Sequence, residues 1–153
     1  MIDKLIEIKK IFNNNDNLKV VKDFEVINDD IIGEIEVVCD LKTNILFNVI
    51  INPNYPLKTS NVESITFVNS DLKKYSHVNP DGSICFHTST TPDLAYKLDN
   101  DIKALLEWVE VYYIKEIAEN HFEYPFYEIQ DEKHIFLFCD TDVTPTKDDF
   151  GYF

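Results

Sequence analysis

Tyr75-Ser-His-Val-Asn-Pro-Asp-Gly-Ser-Ile-Cys-Phe-His87 separates two kinds of chain. Before it lie four apolar runs rich in Val, Ile and Phe: Leu18 to Ile27, Ile31 to Cys39, Asn44 to Ile51 and Val62 to Val68. Such runs between short polar turns read as strands. Asn28-Asp29-Asp30 and Asp40 to Thr43 are the hairpin turns, and strands joined so closely must pair antiparallel. After the stretch, Ile102, Leu105, Leu106, Val109, Tyr113 and Ile117 keep one helical face. Asp99 to Asp101 read as its acidic, capped start, and its end falls near Asn120. Ile2, Leu5, Ile6 and Phe12 predict a first helix over residues 2–12. The fold class is therefore α+β: an N-terminal helix, a four-stranded antiparallel meander, an irregular loop and a packed C-terminal helix.

The irregular loop runs from Asn69 to Asp99, and a loop of that length in a compact domain is usually functional. A second special segment, Asn52-Pro-Asn-Tyr-Pro-Leu-Lys58, has two prolines that bar ladder pairing and favour an extended, rigid loop. Further on, Tyr124 to Tyr127 reads as a turn, His134 to Cys139 as a short fifth strand or an extended packing segment, and the acidic tail to Phe153 as loosely held. One domain spanning 1–153, with an extension after about residue 130, fits the length.

Composition narrows the partners. The chain has 153 residues, 44% of them hydrophobic and 13% aromatic, enough for a core. Fourteen lysines, with no arginine, stand against 28 acidic residues, for a net charge of −14. That lacks the basic stripe and the bidentate fork of a nucleic-acid binder. The longest apolar runs, such as Ile135 to Phe138, are too short for a membrane span. The opening MIDKLIEIKK lacks an apolar core and a cleavage site, so no export signal is expected. With three cysteines, that predicts reduced thiols and a cytoplasmic protein.

Pro80-Asp81-Gly82 is a turn signature, since proline fixes φ and glycine supplies a positive one. The turn folds the chain so that His77 or Asn79 can approach Cys85. A thiol nucleophile needs a lowered pKa or a nearby base, and an acyl-transfer oxyanion needs a donor. His77, Asn79 and His87 are residue types for both tasks. Cys39 and Cys139 lie in apolar runs and read as packing; His121 and His134 read as structural or exposed. Tyr75, Trp108 and the Tyr112-Tyr113 pair read as aromatic core or rim. A zinc site built on His77, Cys85 and His87, with His121 or Cys139, is the rival chemistry, but it lacks an anchoring ligand spacing. No metal is therefore expected. The three glycines, Gly33, Gly82 and Gly151, make no phosphate loop, and no cofactor is expected.

The order of elements resembles ubiquitin-conjugating enzymes over about residues 1–125. Asn52 to Lys58 looks like that family's proline-containing segment after the third strand. Asp81-Gly-Ser-Ile-Cys-Phe86 looks like its active-site run. Where eukaryotic members carry His-Pro-Asn, this chain has Tyr75-Ser76-His77. At the position of their substrate-assisting acidic residue stands Ile117, so that role is not carried over. The histidine, and the helix reading Leu106-Glu-Trp-Val-Glu-Val-Tyr-Tyr113, look more like bacterial members of the superfamily. Those travel with ubiquitin-like conjugation or cyclic-oligonucleotide anti-phage defence.

The resemblance implies a thioester-forming transferase with Cys85 as nucleophile and His77 as oxyanion donor or thiol-activating base. Asn79, His87 and Tyr75 are supporting candidates. It also implies an activating enzyme as partner. The donor would be the C-terminus of a ubiquitin-like protein or of a cyclic-nucleotide-synthesising nucleotidyltransferase. The chain ends Gly-Tyr-Phe, without Gly-Gly, and reads as the carrier and not the modifier. The alternative is a non-catalytic binding module of the same fold, in which the groove near Cys85 only recognises a partner.

Overall fold

The structure, a computed structural model, describes residues 2–40, 42–58 and 63–118. The chain divides after Ile117, and the fold described below belongs to residues 1–117. The expected turn at Tyr124 to Tyr127, the strand His134 to Cys139, the tail, His121 and Cys139 lie outside the described residues.

Helix α1 (Ile2–Asn13) is followed by β1 (Leu18–Ile27), β2 (Asp30–Val37), β3 (Ile45–Ile51) and β4 (Ile65–Val68). The strands form one antiparallel sheet in the order β1-β2-β3-β4, the expected meander. Asn28 and Asp29, at φ 51° and 72°, make the two-residue turn between paired Ile27 and Asp30. Both residues tolerate the left-handed region that such a hairpin requires. Along β3 the side chains alternate: Ile45, Phe47, Val49 and Ile51 are buried, while Leu46 and Ile50 are exposed. The inner face of the sheet joins Ile8 and Phe12 of α1 in one core. Phe12 stacks on Phe24 of β1 at 4.6 Å between ring centroids. Phe24 in turn lies against Gly33, where a Cβ would come within 2.6 Å of the ring.

Helix α2 runs Leu94–Trp108 and continues as a π-helical turn, Val109–Ile114. This corrects the expected start at Asp99. The cap is Asp93, whose Oδ1 accepts from the Tyr96 N–H at 3.0 Å. Asp101 is instead interior and fully buried. Helical geometry also stops at Ile114, short of Asn120, and Ile117 is exposed. Lys42 closes that end: it donates to the Tyr113 carbonyl at 2.8 Å and pairs with Glu116. A cation there suits the negative end of a helix. The irregular loop is correspondingly shorter, since Ser70–Leu72 is a 3₁₀ turn and α2 starts at Leu94.

The proline segment is turned and not extended. Tyr55 N–H donates to the Asn52 carbonyl, and Leu57 N–H to that of Asn54, both at 3.0 Å. This winding buries the Tyr55 ring. No helix among the described residues is long and apolar enough to cross a membrane.

Candidate active site

The segment around Cys85 is built on the turn expected at Pro80-Asp81-Gly82. Gly82 N–H donates to the Asn79 carbonyl at 2.9 Å, and Asn79 N–H to that of Ser83 at 2.8 Å. Gly82 has φ +88°, and a Cβ there would sit 2.8 Å from Ser70 Cα. Only glycine meets both demands. Asp81 Oδ1 accepts from the Ser83 N–H and hydroxyl, and Asn79 Nδ2 donates to Ser83 Oγ at 2.9 Å. Asn79 thus commits its amide to the turn.

Beyond the turn, Val78 and Ile84 form an antiparallel bridge, and Ile84 N–H donates to the Phe67 carbonyl at 2.9 Å. Cys85 N–H then donates to the His77 carbonyl at 2.8 Å. The turn therefore brings His77 to Cys85 through the backbone. This contact also occupies the Cys85 N–H, so an oxyanion donor must come from elsewhere. His77 has φ +58°, an uncommon conformation for a residue with a side chain.

The π-helical end of α2 packs on this side of the loop. Trp108 Nε1 donates to the Ser76 carbonyl at 3.0 Å, and the His77 ring lies 4.9 Å from that of Tyr112. Tyr75 meets Trp108 and Tyr113 edge-on at 6.3 and 5.5 Å. Tyr75, Trp108 and Tyr113 are packing residues here. π-Helical turns often mark functional sites.

Cys85 is half-buried, whereas Cys39 is buried. Burial, followed by the charges of Asp40 and Glu110, pushes the Cys39 thiol up. After Cys85, Phe86 packs against Phe67 at 5.6 Å, and His87 is exposed, with Nδ1 3.8 Å from Glu63 Oε1. His77, Cys85 and His87 do not make a zinc cage: among the described residues no group of three or more His, Cys, Asp or Glu is disposed to hold a metal ion.

A buried charge network beside this segment escaped the sequence reading. Lys97 and Asp101 are both fully buried. Lys97 Nζ donates to Asp101 Oδ1 and Thr88 Oγ1 at 2.6 Å and to Glu63 Oε2 at 3.0 Å. Thr88 also donates, its hydroxyl to Asp101 Oδ1 at 2.5 Å and its N–H to Glu63 Oε1 at 2.9 Å. Tyr55 donates to Asp101 Oδ2 at 2.8 Å, and Lys58 pairs with Glu63 at 2.5 Å. Burial tends to raise the Glu63 carboxyl, but the bonds from Lys58, Thr88 and Lys97 outweigh it and hold it below the ordinary value. Burial, then the Asp101 charge, drives the Tyr55 hydroxyl up, so it stays a donor. The available signal was the opposite-charge pair Lys97 and Asp101 at i,i+4.

No family model, no curated protein and no solved structure matches this chain.

Proposed function

We propose that this protein is a ubiquitin-conjugating-enzyme-like transferase that carries an activated protein C-terminus as a thioester on Cys85. One observation carries the reading: a half-buried thiol sits in an irregular segment bonded through its backbone to a histidine-bearing turn. An antiparallel sheet preceded in the chain by one helix and followed by another is compatible with that family's architecture.

In the first step the Cys85 thiolate attacks the activated carbonyl carbon. A C–S bond forms, and the activating group leaves with its electron pair. In the second step an amine attacks the same carbon. A C–N bond forms, Cys85 departs as thiolate, and the amine proton passes to a base. Negative charge on the carbonyl oxygen is greatest between attack and departure, and a donor aimed there speeds both steps. His77 is the proposed donor, because the Cys85 N–H is occupied and the Asn79 amide serves the turn. His87, exposed two residues beyond the thiol, is the proposed acceptor of the amine proton.

The proposed donor is a ubiquitin-like protein or a cyclic-nucleotide-synthesising nucleotidyltransferase, joined through its C-terminus after an activating enzyme has acted. The proposed setting is bacterial anti-phage defence in the cytoplasm.

A peptide bearing a C-terminal alkyl thioester tests the chemistry. Intact-mass spectrometry of the wild type is expected to show one acyl adduct, mapped to Cys85 and released by a small thiol. Cys85→Ala is expected to fold and to take none. Equal acylation of the alanine variant removes the enzyme reading and leaves the binding module.

A further inference from the structure

We propose that Thr88, gripped by Lys97, Asp101 and Glu63, is a latch that positions the Cys85 thiol on α2. The inference rests on Cys85 being the working thiol, as proposed above. Thr88 and its three partners are positioning residues.

Lys97, Asp101 and Trp108 are spaced four and seven residues apart, so all three fall on one stripe of α2. Trp108 fastens the chain on one side of the cysteine, through the Ser76 carbonyl at 3.0 Å. Lys97 and Asp101 fasten it on the other, through the Thr88 hydroxyl at 2.6 and 2.5 Å. Thr88 is three residues from Cys85, so the latch lies within roughly 10 Å of it along an extended chain. A single rigid helix thus holds both flanks of the irregular segment.

The chemistry of the network supports positioning over simple stabilisation. A buried ion pair adds little net stability compared with apolar packing, because desolvation offsets most of the attraction. What it supplies is direction. Lys97 Nζ has three acceptors, and Thr88 presents both its hydroxyl and its N–H to carboxylates. No buried side-chain N or O among the described residues is left without a partner. A satisfied network of this kind admits one arrangement of the loop.

The test compares alkylation rates by iodoacetamide, mapped at Cys85 and Cys39, in the wild type, Thr88→Val and Thr88→Ser. Valine keeps the shape and removes the hydroxyl; serine restores it. Cys85 of Thr88→Val is expected to react roughly 5- to 150-fold faster, the opening expected when the two hydrogen bonds of the hydroxyl, to Lys97 and Asp101, are lost. Cys39 should be unchanged, and Thr88→Ser should match the wild type. Equal or slower Cys85 alkylation in Thr88→Val overturns the latch, as does a parallel rise at Cys39, which marks general loosening. If Thr88→Val does not fold, Lys97→Met/Asp101→Leu carries the same test, because it removes both buried charges together. Should Cys85 speed up while the wild type takes no acyl group from a peptide thioester, the latch stands and the transferase reading falls.

Discussion

The backbone N–H of Cys85 donates to the carbonyl oxygen of His77 at 2.8 Å. That single bond ties the candidate nucleophile to the candidate oxyanion donor without involving either side chain. His77 itself lies in the left-handed region, at φ +58°, with its ring against Tyr112. A residue held at its backbone by one contact and at its ring by another can present a donor with little reorganisation.

His77→Ala is therefore expected to keep the fold and slow acyl transfer roughly 10²–10³-fold, the usual loss for one such donor. His77→Asn should recover part of the rate if donation is the role, since an amide NH₂ also donates. If His77 acts as a base, asparagine should not rescue. Single-turnover discharge of a preformed Cys85 thioester separates the two.

Thiol reactivity gives a second expectation. Cys39 is buried, and its thiol is raised by burial and by the carboxylates of Asp40 and Glu110. Cys85 is half-buried. Since the thiolate is the reacting form, Cys85 should alkylate before Cys39 at neutral pH. Labelling with a limiting reagent followed by peptide mapping decides the order, and first labelling at Cys39 removes the assignment.

Glu63 links the network to acid stability. Its carboxyl is held below its ordinary value of 4.5 in the folded state, so the unfolded state binds the proton more readily. Its contribution is present above pH 4.5 and is lost as pH falls through the lower folded value. Glu63→Gln should lower the urea midpoint at pH 7, and the gap from the wild type should narrow below about pH 4. A gap that stays constant from pH 7 to pH 3 would contradict the assignment.

Gly33 tests the core. A Cβ there meets the Phe24 ring at 2.6 Å, and Phe24 is itself stacked on Phe12. Gly33→Ala should cost about 1–3 kcal/mol of stability, the range for overpacking. Adding Phe24→Leu should return part of it, read as a coupling between the two changes in thermal or urea unfolding.

What was legible in the sequence was what depends on near neighbours. The meander follows from alternation within each run and from turns such as Asn28-Asp29, whose conformations those residues accept. The turn at Asn79 to Ser83 follows likewise from proline and glycine positions, and it delivered His77 to Cys85. Tertiary structure decided the start of α2 and the Thr88 latch. Asp99 to Asp101 looked like a helix start because acidic residues favour one. Yet Asp101 is inside α2, because Lys97 one turn earlier, Tyr55 from the proline segment and Thr88 from the loop after Cys85 converge on it. Those partners are separated from it by up to 46 positions, and the cost of burying a carboxylate is met only when all are assembled. No local pattern encodes that convergence. Only the packed chain shows which charges leave water together.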